Sequence, residues 1–175
     1  LTGSAPDRFI EEKTRGLTID LGFASTTLPS GTVLSIIDVP GHVRFLKNML
    51  AGVGSVQTCL FVVAATEGWK PQSEEHLRIL ELLGFKNGII VVTKVDQADN
   101  DITEVTLLEI EEKVKGTFLE NASLVKTNSL DGTGVDVLLK EVSKLLKDTP
   151  DPDDVQRPRL WIDRSFSVRG TGTVV

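Results

Sequence analysis

A single cysteine, Cys59, among 175 residues excludes an internal disulfide framework and suits a reducing compartment. No apolar run is long enough to cross a bilayer and no signal peptide opens the chain, so the expected location is the cytoplasm. The two histidines, His42 and His76, do not make a metal pair, because nothing at suitable spacing supplies further ligands. Internal repeats and low-complexity tracts are absent. A net charge of −6 and a pI near 5.0 argue against broad nonspecific binding to nucleic acid, while leaving room for a local RNA-contacting patch. No initiating methionine precedes Leu1, and the chain stops inside an apolar run at Val174-Val175. Both ends are expected to be cuts through structure, which makes the chain a piece of a longer protein.

What is present is an ordinary globular composition, 40% hydrophobic and 25% charged, long enough to bury a sizeable core. Strand-like and helix-like segments alternate. Leu17 to Thr27 and Thr32 to Asp38 read as an antiparallel pair around a turn at Pro29-Ser30-Gly31. Val43 to Gly52 has apolar residues at helical spacing. Thr58 to Ala65 and Gly88 to Thr93 are nearly all apolar, as expected of strands buried on both faces. Pro71 opens a helix that runs to Leu83. Ile102 to Phe118 and Val135 to Leu146 read as amphipathic helices flanking a strand at Ser123 to Thr127. This alternation predicts an α/β fold with a mostly parallel sheet and helices on both faces. Ligands of such sheets bind beyond the carboxyl ends of the strands.

Three motifs fall at those ends. Asp38-Val39-Pro40-Gly41-His42 offers a carboxylate for magnesium, a glycine N–H that can approach a terminal phosphate, and an imidazole able to orient a water. The same residues also describe a strand-to-helix turn with an Asp cap. Thr93-Lys94-Val95-Asp96 places a carboxylate that can accept from guanine N1–H and its 2-amino group, and a lysine whose stem can lie along the base. Adenine would leave that carboxylate unpaired, at about 1–3 kcal/mol. The tetrapeptide alone reads better as a polar turn closing a strand. Asn128-Ser129-Leu130, with Asp131 to Gly134, is a glycine-containing loop opening a helix, and its backbone N–H groups could reach a base carbonyl. Upstream, the charged run Glu11 to Arg15 leads to Thr18, whose hydroxyl could complete a magnesium shell.

In this order and spacing the motifs resemble the translational GTPases. Arg15-Gly16-Leu17-Thr18-Ile19 resembles the first switch of that family, and Asp38 to His42 the second. Pro71-Gln72-Ser73 with Glu75-His76-Leu77 resembles the helix after it, and Thr93 to Asp96 the guanine-specificity motif. Glu11-Glu12-Lys13 leading into Arg15 to Ala24, and Ile162-Asp163-Arg164 leading into Phe166 to Val175, resemble the selenocysteine-specific branch. The resemblance implies a P-loop-NTPase-like GTPase domain that binds GTP or GDP with magnesium. Thr18 and Asp38 would hold the metal, the latter through water. Gly41 would sense the γ-phosphate and His42 would position the attacking water. Lys94 and Asp96 would read guanine, with a backbone N–H near Ser129 on its carbonyl. The implied partners are selenocysteinyl-tRNA, the ribosome and, through regions absent here, an mRNA hairpin; no membrane is involved.

Expected domain limits are 1–147 for an incomplete GTPase domain, 148–157 for a linker and 158–175 for the start of a β-barrel domain. Three departures from the family pattern stand out. Thr93 takes the place of the usual Asn, which loses one amide contact. Asn128-Ser129 stands where Ser-Ala is usual. No Gly-x-x-x-x-Gly-Lys-Ser/Thr phosphate loop occurs anywhere in the chain. The parent protein is therefore expected to be a GTPase, and the chain alone to bind GTP weakly or not at all and to be inactive. A general tRNA-delivery or initiation factor is the alternative within the class. A non-hydrolysing platform built on the same fold is the alternative outside it. Cys59 reads as a buried small hydrophobe, Trp69 as a packing residue, and His76, among Glu74, Glu75 and Arg78, as a surface or helix-packing residue.

Overall fold

The computed structural model describes residues 18–28, 30–53, 56–149, 165–170 and 172–174, together with Thr2 and Gln156. The first hairpin is built from β-branched and hydroxyl side chains that suit a pleated, half-buried surface. Its strand β1 (Gly22–Thr27) runs antiparallel to β2 (Val33–Asp38), with Gly22 opposite Asp38 and Thr27 opposite Val33. The turn closes through bonds from Leu28 N–H to the Thr32 carbonyl and from Gly31 N–H to the Leu28 carbonyl, both 2.8 Å. The expected pair is found, but residues 18–21 precede it without joining the strand. Leu17 and Pro29 lie outside the described residues.

A 3₁₀ turn, Val43–Phe45, then leads into α1 (Leu46–Val53). The expected helix thus starts in tighter form, because Phe45 N–H bonds the His42 carbonyl three residues back at 2.8 Å. Beyond it β3 (Thr58–Ala64), β4 (Asn87–Thr93) and β5 (Leu124–Lys126) form a parallel sheet in that spatial order. The helix α2 (Pro71–Leu82) connects β3 to β4, α3 (Asn100–Lys113) connects β4 to β5, and α4 (Val135–Asp148) follows β5.

Alternation along β4 sorts the core into two layers. Ile90 and Val92 join Phe61, Val63, Met49, Leu77, Leu80 and Ile110, which places α1, α2 and α3 on one face of the sheet. Ile89 and Val91 join Val125, Leu138, Val142 and Leu28, which places α4 and the end of the hairpin on the other. Helices therefore cover both faces, as the alternation of segments predicted.

β3 departs from the expectation of a strand buried on both faces. Phe61 and Val63 point into the core, but Val62 is 58% exposed on the opposite side. The cover on that side comes from α4, which packs with Ile89, Val91 and Val125 and reaches β3 at Leu60 but leaves Val62 open. Cys59 on β3 is half-buried, and burial pushes its thiol up to about 12. Trp69 is a packing residue, stacked on Phe61 with ring centroids 5.5 Å apart.

Two helix ends also differ from expectation. α3 stops at Lys113 rather than Phe118: Gly116 enters the left-handed region at φ of 73°, and the Thr117 hydroxyl donates to the Val114 carbonyl at 2.7 Å in the turn that follows. Asp148, expected to open a linker, is the last residue of α4. A separate hairpin pairs β6 (Phe166–Val168) with β7 (Gly172–Val174). The expected strand at Leu160 to Ile162 and most of the expected linker lie outside the described residues. Among the described residues no helix is long and apolar enough to cross a membrane.

Candidate nucleotide site

Parallel strands leave the core at one end, and register decides which loops become neighbours. Ala64 pairs with Thr93, and Val92 with Lys126. The chain beyond each strand continues the stitching, with Ala65 N–H on the Thr93 carbonyl at 2.8 Å and Thr127 N–H on the Val92 carbonyl at 2.7 Å. The loops carrying Thr93 to Asp96 and Asn128 to Leu130 therefore emerge side by side.

The first of these loops is a turn with an unusual backbone. Lys94 has φ of 57°, in the left-handed region that side chains other than glycine rarely enter. Its carbonyl accepts from Gln97 N–H at 3.1 Å. Thr93 stays half-buried while Lys94 and Asp96 are exposed. The Lys94 ammonium lies 3.4 Å from Glu67 Oε1 on the loop after β3. Exposed pairs of this kind contribute only about 0–1 kcal/mol, so this contact is weak enough to be exchanged for a ligand.

The second loop is held by its own side chains. Asn128 is 6% exposed, and its Oδ1 accepts from Leu130 N–H at 2.9 Å. Its N–H bonds the Thr133 carbonyl at 2.9 Å, and its carbonyl takes Gly132 N–H at 3.1 Å. Asp131 accepts from Thr133 N–H at 2.8 Å, and that bond holds its carboxyl below the usual range. The Asn128 carboxamide is thus engaged within the loop. Ser129 and Leu130 are exposed at its tip, and among the described residues the Ser129 N–H has no acceptor.

Asp38 to His42 leaves from β2, which makes no strand pairing with the parallel sheet among the described residues. Asp38 is half-buried, while Gly41 and His42 are exposed. His42 Nδ1 accepts from Arg44 N–H at 3.1 Å and its ring tilts against Phe45 at 6.1 Å, which leaves Nε2 as the outward nitrogen. Gly41 is not in the left-handed region, and a Cβ built on it would meet His76 Cε1 at an ordinary 3.7 Å. Among the described residues, then, no packing contact requires a glycine here.

The sequence marks His76 as part of the Glu75-His76-Leu77 run and as a surface or helix-packing side chain, without a role in the site. It is half-buried on α2 against the Gly41 turn. Burial lowers its pKa, opposed by a hydrogen bond to the Gly41 backbone and by the charge of Glu75. A residue outside the motifs, Asn48 on α1, donates Nδ2–H to the Ile19 carbonyl at 2.9 Å, next to the half-buried Thr18. Asparagine is a poor former of helix interiors, and that was the available signal for Asn48. For His76 the available signal was its place in the Glu75-His76-Leu77 run.

Among the described residues, no group of three or more His, Cys, Asp or Glu is placed to hold a metal ion. Asp38 and Thr18 offer one carboxylate and one hydroxyl. Such hard oxygen donors fit magnesium, which keeps most of its waters and takes few protein ligands.

A parallel sheet with loops of this kind at its carboxyl end is the arrangement of a translation-factor GTPase domain. The chain belongs to the Elongation factor Tu GTP binding domain family, whose description matches residues 3–148. It is similar to the selenocysteine-specific elongation factor of Desulfomicrobium baculatum, 41% identical over 175 residues, covering all of this chain and 28% of that protein. It superposes on the crystal structure of a bacterial selenocysteine-specific elongation factor, EF-Sec, with a TM-score of 0.85 and 40% identity, over 98% of this chain and 30% of that one. A third similarity is to the translation elongation factor SelB of Methanococcus maripaludis in complex with the GTP analogue GPPNHP. There the TM-score is 0.78 and the identity 28%, over 89% of this chain and 34% of that one. The chain thus spans less than a third of the selenocysteine-specific relative it matches.

Proposed function

We propose that this chain is the switch-bearing and base-reading part of a GTPase that delivers selenocysteinyl-tRNA to the ribosome. The observation that carries the reading is Gly41. Within the described fold its packing leaves room for a side chain, so the absence of one is explained by the close approach of a ligand phosphate. Asp38, exposed His42, and the adjoining Lys94 and Ser129 loops then have a common use.

In this reading Gly41 N–H donates to the γ-phosphate, and His42 Nε2 orients a water for in-line attack. Asp38, through water, and Thr18, through its hydroxyl, hold magnesium. When bound, that ion supplies positive charge to the phosphate oxygens. Lys94 lays its stem along the base and Asp96 accepts from N1–H and the 2-amino group. Ser129 N–H donates to the base carbonyl, with Thr93, Asn128 and Leu130 shaping the rim. GTP orders the switches and hydrolysis releases them together with the tRNA. The domain limits 1–147, 148–157 and 158–175 belong to the same proposal, as do the ribosome, an mRNA hairpin bound by other regions, and a cytoplasmic location.

The direct test uses the longer protein that carries this chain behind a phosphate loop. In GTP it is expected to protect selenocysteinyl-tRNA from deacylation, and in GDP to lose that protection. Equal protection of seryl-tRNA would move the reading to a general tRNA-delivery factor. In the same protein Asp96→Asn is expected to lower GTP affinity about a hundredfold, because the carboxamide keeps one acceptor for N1–H but turns a donor toward the 2-amino group. XTP should bind the variant better than GTP, since the carboxamide N–H can donate to the 2-oxo group. A variant that still prefers GTP would remove Asp96 from the base site.

A further inference from the structure

Residues 18–21 carry Thr18 but belong to no helix or strand. Local bonding there includes Leu21 N–H on Asp20 Oδ1 at 2.9 Å, a contact between neighbours that cannot set the position of the segment on the fold. The bond from Asn48 Nδ2 to the Ile19 carbonyl, also 2.9 Å, spans 29 positions in sequence and is partly buried. Its donor stands on a firm base. Asn48 lies on α1 beside Met49, which is 3% exposed in the main core, and Leu46 packs against the same cluster. α1 is also continuous, through the 3₁₀ turn, with Gly41 and His42.

We propose that Asn48 is a positioning residue that couples the Thr18 segment to the Gly41-His42 segment, so that the two parts of the γ-phosphate and magnesium site take up their places together. The proposal rests on the GTPase reading for its functional meaning, but the contact itself does not. The donor is a side-chain amide and the acceptor a main-chain carbonyl, so a change in the path of either segment must be transmitted or must break the bond. A partly buried bond of this kind is worth retaining at a position where alanine would make a better helix.

The test has two arms. In the 175-residue chain without nucleotide, Asn48→Ala is expected to speed amide hydrogen exchange over residues 18–21 about tenfold, the equivalent of one lost hydrogen bond. Exchange in α1 should stay unchanged, because alanine favours the helix and Met49 keeps it docked. Asn48→Gln, which keeps the donor, should recover most of the protection. In the longer GTP-hydrolysing protein, Asn48→Ala is expected to raise the magnesium concentration for half-maximal hydrolysis about tenfold, on the same bond equivalence. The rate at saturating magnesium should fall much less. Exchange within twofold of the parent chain overturns the contact. Faster exchange with an unchanged magnesium requirement overturns the coupling. A parent protein that hydrolyses no GTP overturns the GTPase reading instead, while the exchange arm still reports on Asn48.

Discussion

Titrated with GTP and magnesium, the 175-residue chain by itself is expected to show no submicromolar binding. The residues proposed to read the base and sense the γ-phosphate are present, but the sequence holds no Gly-x-x-x-x-Gly-Lys-Ser/Thr loop. In this class of protein that loop provides most of the backbone donors to the phosphates, plus a lysine and a magnesium ligand. Three missing charge-assisted bonds at about 1.5–3 kcal/mol each amount to about three to six decades of affinity. What remains in this reading is contact with the base and the few groups around Gly41, Asp38 and Thr18, so GTP should gain little over guanosine and both should bind weakly. Calorimetric or fluorescent-analogue titration checks this. A submicromolar dissociation constant for GTP, or a large preference for GTP over guanosine, would show that other groups grip the phosphates.

Gly134→Ala should be the most damaging single substitution in the base-side loop. Gly134 has φ of 76° and sits immediately before α4. A Cβ there would run into the Lys126 carbonyl and come within 3.3 Å of Thr127 Cα. Both are main-chain atoms at the exit of β5, and Thr127 N–H is itself bonded to Val92, so neither can step aside without breaking the sheet. Strained φ and backbone overlap together are expected to cost at least about 3 kcal/mol, or roughly 10 °C in Tm for a chain of this size. Gly132 gives the control. Its φ is 81°, but nothing lies within 4 Å of an added Cβ, so Gly132→Ala should cost only about 1–2 kcal/mol, from the backbone alone. Thermal or urea unfolding separates the two. Equal losses would mean that the approach to Lys126 relaxes.

Both results bear on how much could be read in advance. The alternation of segments and the placement of three motifs at strand ends were legible because they are local. Period-two and helical apolar spacing, a proline at a helix start and a glycine after a strand act over a few residues. The residues proposed to read guanine and sense phosphate stood out for the same reason, since each group is contiguous. Boundaries were less legible. Residues 18–21 look like strand by composition yet stay outside it, since β1 pairs with β2 only from the Gly22–Asp38 position onward.

The amino-acid sequence by itself determined the α/β class, the family and the missing phosphate loop, since these depend on residue types and short-range order. Tertiary structure alone decided the rest. It set Val62 on an uncovered face, turned His76 toward Gly41, tied Asn48 to Ile19 and made Gly134 intolerant of any side chain. Each depends on how separate elements pack, and no periodicity or motif encodes which atoms will meet, or which stay open, once the sheet and its helices are in place.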